Sequence, residues 1–292
     1  MGDRVSSRGG NSGALTSQIT GAMTVDVEDY FQVAAFADQV KREDWERHPV
    51  RVERNLDRIL GIFADHSVTG TFFTLGWIAE RYPQAVRRLV DAGHELASHG
   101  YEHIKVHTQD SKTFRTDVRR TKQILEDIGG QAVKGYRAAS FSIDERSLWA
   151  FDVLAEEGYE YSSSVYPIKH DHYGMPGASR FAYQPTGRHA FLEVPISTVR
   201  LFNRNIPSGG GGYFRLLPYG VSRWFLRRIV NMDQKPPVFY FHPWEIDPRQ
   251  PRIERASLRS RFRHYVNLHV MERRLRAVLS DFPWNRMDRV FL

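Results

Sequence analysis

Four short segments combine residue types that could do chemistry, each directly after an apolar stretch. The first, TVDVEDYF, places Asp26, Glu28 and Asp29 within four positions. Three carboxylates this close repel one another, and a bound cation or a raised pKa would relieve the repulsion. A solvated turn with a helix cap is the alternative interpretation.

The second segment, SHGYEH, carries His99 and His103 four positions apart. In a helix this spacing puts both imidazoles on one face, where they could bind a single metal ion. Taken alone, the spacing is more often a coincidence than a site. Combined with carboxylates from a neighbouring strand end, the pair predicts a His₂–carboxylate site of the kind that suits catalytic zinc.

The other two segments each offer one cationic side chain. Arg137 in YRAASFS is either half of a structural ion pair or a guanidinium that holds Asp26 ionised and oriented. His242 ends the strongly β-type run VFYFH and is followed by Pro243. It is either a satisfied structural histidine or a general acid with a pKa near neutrality.

Composition limits what these segments can be. The chain has 292 residues, 41% hydrophobic and 26% charged, which is typical of a folded globular protein. It contains no cysteine, so disulfide frameworks, thiolate zinc sites and cysteine nucleophiles are excluded, and any metal must bind nitrogen and oxygen. The net charge of +7 favours anionic partners. Neither a secretory signal nor an 18-residue apolar segment occurs, so we expect a cytoplasmic protein.

Strand-like and helix-like segments alternate along most of the chain. Apolar runs predict strands at 22–27, 70–76, 95–100, 133–139, 193–198 and 238–244, and three- to four-residue periodicity predicts helices at 52–66, 82–94, 111–130 and 147–158. This alternation predicts parallel strands with crossover helices, an α/β sheet or barrel. In such folds ligands bind at the carboxyl ends of the strands, where the four segments would meet.

Three regions depart from the alternation. Residues 1–22 are Gly/Ser-rich and polar, which predicts a disordered leader. Residues 165–220, with a glycine run at 209–212, predict a long loop over one rim. Residues 256–282 predict a basic helical stretch near the C-terminus.

In order and spacing the four segments resemble the polysaccharide deacetylase family, carbohydrate esterase family four, with its NodB-type domain. The family order is an Asp pair, His-x-x-x-His, an Arg segment and a strand ending in His. The resemblance implies a distorted (β/α) barrel over 23–248, with a basic helical extension, 249–292, packed on it. GYFRLLPY, HPWEIDP and SRFRHYVNL further resemble the subgroup associated with exosortase and exopolysaccharide gene clusters.

The resemblance also implies roles for individual residues. Asp26 matches the catalytic base, Arg137 the arginine that positions it, and His242 the general acid. His99 and His103 match the two metal-binding histidines.

The carboxylate ligand stays open between two neighbours. Alternation along a strand puts Glu28 on the same side as Asp26, whereas Asp29 keeps the residue type of the family. Both are therefore candidate metal ligands, and we expect one of them to bind.

Two positions depart from the family pattern. Gly100 replaces the usual Ser or Thr after the first metal histidine, so a hydroxyl that would brace the loop is missing. Ser162 stands where the family has an Asp that tunes the acid histidine. Glu245 or Asp247 could substitute for that Asp.

The implied activity is metal-dependent removal of N-acetyl groups from amino-sugar residues of an oligo- or polysaccharide, in exopolysaccharide biosynthesis. Zn²⁺ is the expected cofactor and an N-acetylated glycan the expected partner. Aromatic faces suit sugar rings, although ordinary core packing is the alternative for each. The candidate substrate-binding residues are Tyr30, Tyr101, Phe141, Tyr213, Arg215 and Trp244.

The sequence is also compatible with two alternative functions. A hydrolase on the same fold could cleave another non-peptide C–N bond, in a small amide or a cyclic ureide. A non-catalytic module could instead bind nucleic acid or membrane through the arginine-rich tail. We expect no nucleic-acid partner, since the tail contains no groove-reading motif, while the positive charge leaves open a peripheral contact with an anionic inner-membrane face.

Overall fold

The structure, a computed structural model, describes residues 19–170, 173–187 and 190–292. Its strands are β1 (Gly21–Val27), β2 (Thr71–Thr74), β3 (Glu95–Ser98), β4 (Gly135–Tyr136), β5 (Tyr161–Ser162), β6 (Leu192–Glu193), β7 (Thr198–Leu201), β8 (Arg204–Pro207), β9 (Val238–Phe241) and β10 (Trp284–Asn285). Its α-helices are α1 (Val52–Asp65), α2 (Gly76–Arg81), α3 (Pro83–Asp91), α4 (Ser111–Gly129), α5 (Trp149–Glu156), α6 (Gly211–Leu216), α7 (Tyr219–Arg228), α8 (Leu258–Tyr265), α9 (Leu268–Asp281) and α10 (Met287–Phe291). Most of the predicted leader, 1–22, lies outside the described residues, and its last two residues belong to β1.

The main sheet is parallel throughout. Its strands run in the order β1-β2-β3-β4-β5-β6, and β9 and β10 both pair with β1. Helices follow β2, β3 and β4 before the chain returns to the next strand. The predicted alternation of parallel strands and crossover helices is therefore confirmed. A separate antiparallel hairpin is formed by β7 and β8.

The central strand β1 explains why one segment can serve both core and site. All seven of its residues are buried, as expected for a parallel strand covered on both faces. Met23, Val25 and Val27 pack in the main hydrophobic core. Thr24 and Asp26 alternate with them and both accept hydrogen bonds from Arg137.

Helix α4 shows that local signals set the helix ends. The Asp110 side chain accepts a hydrogen bond from the Thr113 backbone N–H at 2.7 Å, a typical N-cap. Gly130 ends the helix with a φ of +63°, a left-handed conformation that glycine adopts without strain. These bounds lie within one residue of the predicted helix 111–130.

Three sequence predictions differ from the observed elements. The strand predicted at 193–198 is divided between β6 and β7. The loop predicted over 165–220 contains β6, the β7–β8 hairpin and α6, because short polar strands lack a strong apolar run. The helical stretch at 256–282 is two helices, separated at Asn267, which has a left-handed φ of +54°.

The C-terminal segment adds a strand and a helix to the sheet and its core. Trp284 of β10 pairs with Gly21 of β1. Helix α9 buries Met271, Leu275 and Val278 in the same core as the apolar residues of β1. The predicted domain boundary at residue 248 stays a prediction.

Among the described residues, none of the helices combines the length and the apolar character needed to cross a bilayer.

His94 is a buried neutral histidine whose protonation should destabilise the fold. Burial lowers its pKa to about 4, and the Gly70 N–H donates to its Nδ1 at 3.1 Å. Because the folded pKa lies below the ordinary value of 6.5, the unfolded chain binds more protons between these values. The free energy of unfolding should therefore fall by about 3 kcal/mol at this site as the pH drops from about 6.5 to about 4.

Urea unfolding across this pH range, in the wild-type chain and in His94→Gln, measures the effect. Gln keeps an acceptor for the Gly70 N–H but does not titrate. We expect the variant to show a weaker pH dependence. Parallel curves for the two proteins would contradict this account.

Candidate active site

The carboxyl ends of four strands bring the predicted side chains together. Asp26 lies near the end of β1, His99 follows β3, Arg137 follows β4 and His242 follows β9. Since β1 pairs with both β2 and β9, and β3 pairs with β4, these strand ends share one edge of the sheet. Asp26, His99 and Arg137 are each at most 2% exposed, and the His242 side chain is 18% exposed.

A buried ion pair holds Asp26. Arg137 donates from Nη1 to Asp26 Oδ1 at 2.6 Å and to Thr24 Oγ1 at 2.8 Å. Its Nε and Nη2 donate to the carbonyl and hydroxyl oxygens of Ser163. Burial raises the pKa of Asp26, but the charge and hydrogen bond of Arg137, together with the electrostatic effects of His99 and His242, outweigh burial and hold the pKa below its ordinary value. Asp26 is thus ionised, with Oδ2 left toward the site.

Glu28, His99 and His103 form a cluster suited to a metal ion. One donor atom from each lies within 4.8 Å of the others, and all three residues are buried. His99 Nδ1 lies 2.8 Å from the Arg137 carbonyl oxygen, which fixes the proton on Nδ1 and leaves Nε2 as a lone-pair donor. Burial lowers the pKa of both histidines, so both rings are neutral, as metal ligands must be.

One oxygen of the Glu28 carboxylate lacks a hydrogen bond, while Trp244 Nε1 donates to the other, Oε1, at 3.4 Å. Glu28 Oε2 is buried and accepts no hydrogen bond, although His103 Nε2 lies 3.1 Å away. Burial raises the pKa of Glu28 to about 7. A divalent cation would compensate the buried charge, so the donor set fits a metal ion of the zinc type.

The two histidines do not meet through a helix. Residues 99–105 form an irregular loop in which Gly100 and His103 have φ values of +74° and +54°. The helical-face geometry expected from their spacing is therefore wrong, yet the ring centroids lie only 5.2 Å apart. A left-handed backbone costs a histidine about 1 kcal/mol, and the surrounding structure must hold it there.

Asp117 braces this loop in place of the missing hydroxyl. Its Oδ1 accepts a hydrogen bond from the Tyr101 N–H at 3.1 Å, and a Cβ at position 100 would lie 3.2 Å from the same oxygen. Glycine at position 100 thus suits both the φ angle and the close carboxylate. Sequence reasoning missed Asp117, which lies in the middle of α4.

Asp29 lies apart from the cluster. Its Oδ2 accepts hydrogen bonds from the N–H groups of Arg51 and Val52 at the start of α1, and its Oδ1 accepts one from Tyr30. The carboxylate oxygens are therefore already hydrogen-bonded. The geometry favours Glu28 over Asp29 as the metal ligand.

Substitutions of Glu28 and Asp29 should separate an effect on metal binding from an effect on the stability of the fold. Glu28→Gln should weaken metal binding by at least the 10–100-fold that loss of an outer-shell partner costs. Asp29→Asn should retain the metal and lose about 1–2 kcal/mol of unfolding free energy, because the start of α1 loses a charged acceptor.

Metal content after dialysis and urea unfolding of both variants provide the measurement. Each variant serves as the matched control of the other. A metal lost from Asp29→Asn and kept by Glu28→Gln would reverse the assignment.

His242 is held by Glu245. Its Nδ1 lies 2.6 Å from Glu245 Oε1, while its Nε2 lies 3.4 Å from Glu28 Oε1 and 4.0 Å from Asp26 Oδ2. Burial opposes the charged imidazolium, but the Glu245 hydrogen bond and the charge of Glu28 raise the pKa of His242 to about 9.

Glu245 is therefore the carboxylate that contacts His242, in place of the Asp of the family. The sequence had left this role open between Glu245 and Asp247. The other one, Asp247, instead lies 3.3 Å from Arg54 and accepts a hydrogen bond from the Arg249 N–H.

Most of the predicted substrate-binding side chains are covered. Tyr30, Phe141 and Trp244 are at most 5% exposed, and Trp244 stacks between His242 and His264. These rings cannot offer a free face to a sugar.

Two of the predicted aromatic residues, Tyr101 and Tyr213, are half-buried. The Tyr101 ring is itself covered by the Arg120 guanidinium, 3.6 Å from its centroid. Arg215 is 1% exposed and donates to Glu245 and to backbone carbonyls, so it contacts other protein groups instead of a glycan.

Two family models match adjacent parts of the chain. Residues 44–161 match the polysaccharide deacetylase family model. Residues 163–292 match a second model, DUF3473, a domain of unknown function. The polysaccharide deacetylase match contains His99, His103 and Arg137, whereas His242 lies in the second match and Asp26 precedes both.

Curated relatives share parts of this region. The chain is 34% identical over 94 residues to a peptidoglycan-N-acetylglucosamine deacetylase of Bacillus cereus, covering 32% of this chain and 34% of the relative. It is 24% identical over 152 residues to a peptidoglycan deacetylase of Helicobacter pylori, covering 52% and 51%. The chain thus spans about half or less of the length of these relatives.

A solved structure extends the likeness to the whole fold. A Mycobacterium smegmatis protein, provisionally named a polysaccharide deacetylase, superposes with a TM-score of 0.59 at 21% identity, covering 94% of this chain and 89% of that one. At this identity the likeness concerns the fold alone. The predicted fold class, a distorted (β/α) barrel of the polysaccharide deacetylase type, is confirmed.

Proposed function

We propose that this protein is a hydrolase that removes N-acetyl groups from amino-sugar residues of an oligo- or polysaccharide, using a divalent metal ion. One observation carries the proposal. The cluster of Glu28, His99 and His103 lies beside the imidazole of His242, whose Nε2 is 3.4 Å from Glu28 Oε1 and 4.0 Å from Oδ2 of the ionised Asp26. A metal site, a base and an acid at one edge form the set that amide hydrolysis requires. The match of residues 44–161 to the polysaccharide deacetylase model supports the choice of substrate class.

Glu28, His99 and His103 would hold the metal, and we name zinc because two imidazoles and one carboxylate suit it. A metal bound there would polarise the acetyl carbonyl and supply a water molecule of lowered pKa. The chain itself must then move protons to and from the reacting atoms.

Asp26 is placed to accept the proton of the attacking water. Its Oδ1 is occupied by Arg137, so Oδ2 is the free basic atom. Its low pKa keeps Asp26 ionised before the reaction, and a proton on Oδ2 leaves the hydrogen bond from Arg137 to Oδ1 in place.

His242 is placed to donate a proton to the departing nitrogen. Its Nδ1 is held by Glu245, so Nε2 faces the site. An amide expels its nitrogen only when that nitrogen is protonated, and a raised pKa keeps a proton on His242 at neutral pH.

We further propose a role in exopolysaccharide biosynthesis. The support is the resemblance of GYFRLLPY, HPWEIDP and SRFRHYVNL to the exopolysaccharide-associated subgroup. The net charge of +7 would favour contact with anionic glycans or lipids near the inner face of the membrane.

A two-substrate assay tests the proposed function. The zinc-loaded protein is incubated with N-acetylglucosamine oligomers and, separately, with a cyclic ureide, and the release of acetate or ring opening is measured. We expect acetate from the oligomers and no ring opening. Ring opening without acetate would favour the alternative C–N hydrolase, and no turnover of either would contradict the proposal.

A further inference from the structure

Glu245, which contacts His242, and Arg215, which contacts Glu245, both lie in the DUF3473 match. Within it, Glu245 lies in the short 3₁₀ helix Pro243–Ile246 that follows His242, and Arg215 lies in α6. We propose that Arg215 is a positioning residue that acts through Glu245 to hold the imidazole of His242, so that residues 163–292 complete the site begun by the first half of the chain. The inference rests on the proposed function for its kinetic readout.

The contacts form an unbroken buried chain. Arg215 Nε donates to Glu245 Oε2 at 2.7 Å, and Glu245 Oε1 lies 2.6 Å from His242 Nδ1. Arg215 is 1% exposed and Glu245 is fully buried. The two oxygens of one carboxylate thus join the guanidinium to the imidazole. This arrangement fixes which nitrogen of His242 faces the site.

The other two guanidinium nitrogens of Arg215 also donate hydrogen bonds. Nη1 donates to the carbonyl oxygens of His264 and Val266 at 2.8 and 2.7 Å, and Nη2 donates to that of Arg263 at 3.1 Å. These carbonyls lie at the end of α8, where the chain turns toward α9. Because these backbone carbonyls fix Nη1 and Nη2 of Arg215, its Nε can hold the Glu245 carboxylate in one orientation.

The energetics argue against a purely structural pair. Burying two charges costs several kcal/mol, and apolar residues of similar volume often stabilise a fold as well or better. A buried Arg–Glu pair is therefore weak evidence for stability. It is an effective means to keep a carboxylate ionised beside an imidazole.

The glycine run before α6 explains how Arg215 reaches this place. The Tyr240 N–H of β9 donates to the Gly209 carbonyl oxygen at 2.7 Å, and Gly210 forms a parallel bridge with Tyr240. Gly210 and Gly211 have φ values of +111° and +57°, and a Cβ at either position would clash with Tyr240. Only glycine permits this approach to β9, two residues before His242.

The C-terminal helices secure the same segment from the other side. Asn267 Nδ2 donates to the Arg215 carbonyl oxygen at 2.9 Å. Arg274 of α9 donates from Nη1 to the carbonyl oxygens of Phe214, Arg215 and Leu217. The glycine run, α6 and the α8–α9 corner thus together fix the position of the Arg215 guanidinium.

A double-mutant cycle tests the role of Arg215. The variants are Arg215→Met, Glu245→Gln and their combination, in the zinc-loaded full chain with an N-acetylglucosamine oligomer as substrate. We expect each single change to lower kcat by roughly 10- to 100-fold, with KM and zinc content near the wild-type values. Because both residues act on one imidazole, the double variant should be no slower than the slower single variant.

Controls separate positioning from general destabilisation. Arg180→Met removes another arginine of the DUF3473 match, whose Nη2 lies 2.8 Å from Asp233 Oδ2. This ion pair does not contact His242, so the variant should leave kcat unchanged. Arg215→Lys keeps one charge on Glu245 and should recover part of the activity if Arg215→Met fails to fold. A folded, metal-loaded Arg215→Met with wild-type kcat, or losses that multiply in the double variant, would overturn the inference.

A spectroscopic readout does not depend on the substrate. The ring nitrogens of ¹⁵N-labelled His242, assigned by their loss in His242→Gln, report whether each nitrogen carries a proton. We expect a protonated Nδ1 in the wild type and an altered pattern in Arg215→Met. Unchanged signals would overturn the role of Arg215 even if glycan deacetylation itself proved wrong, whereas an altered pattern would support it.

Discussion

Replacing Asp26 with Asn is expected to lower kcat by about 10²–10⁴-fold while the protein keeps its metal. The amide has the size of the carboxylate and can still bond Arg137, but it cannot accept a proton from water. Asp26 lies outside the group of Glu28, His99 and His103, so the metal site should persist. Acetate release and metal content, measured on the same preparation, give both quantities.

Glu95→Gln is a matched control for this change. Glu95 is also a buried carboxyl, but it begins β3 at the opposite end of the sheet, where Thr71 and Tyr161 donate hydrogen bonds to it. We expect its kcat to stay near that of the wild type. An Asp26→Asn variant with full activity would remove Asp26 from the chemistry, and one that lost its metal would make Asp26 a ligand.

The combined change His99→Ala/His103→Ala is expected to abolish both metal binding and acetate release. Two of the three donors of the cluster disappear, and a lone buried carboxylate binds a divalent metal weakly. The Glu28 carboxyl should then be about half protonated at neutral pH, since burial raises its pKa to about 7.

His66→Ala/His269→Ala removes two histidines that lie outside the cluster and is the matched control. His66 lies just after α1, and His269 is exposed on α9. This variant should keep about one metal per chain, the content of a single mononuclear site. Stoichiometric metal in the His99→Ala/His103→Ala variant would show that the ion binds elsewhere.

The sequence predicted the strand ends because strong apolar runs precede each chemical segment. VFYFH and TVDVED show both the strand and the polar residues that follow it, and parallel pairing brings such ends together. The family order then supplied roles for Asp26 and His242. For Asp26 and His242, the strand ends that the local sequence pattern predicts are also the positions that parallel pairing brings together in the fold.

The choice between Glu28 and Asp29 required the structure. Both follow β1, and the sequence does not show which carboxylate is satisfied by backbone N–H groups. Those groups belong to Arg51 and Val52, more than twenty positions away. A capping interaction across that distance leaves no local signal.

Arg215 shows the same limit for a buried charge. In sequence it lies beside aromatic residues after a glycine run, as a residue on a substrate-binding loop could. Its partners, Glu245 and the carbonyls near His264, are 30 to 51 positions away. The closure of α8 and α9 over α6 buries it, and that packing depends on the tertiary fold as a whole.

The central claim is that Glu28, His99 and His103 hold the metal on which deacetylation depends. The most direct test measures acetate release from an N-acetylglucosamine oligomer by chelator-stripped protein before and after zinc is restored, for the wild type and for Glu28→Gln. We expect no release from the stripped wild type, recovery with one equivalent of zinc, and recovery of Glu28→Gln only at a much higher zinc concentration. Full acetate release by verified metal-free protein would contradict the claim.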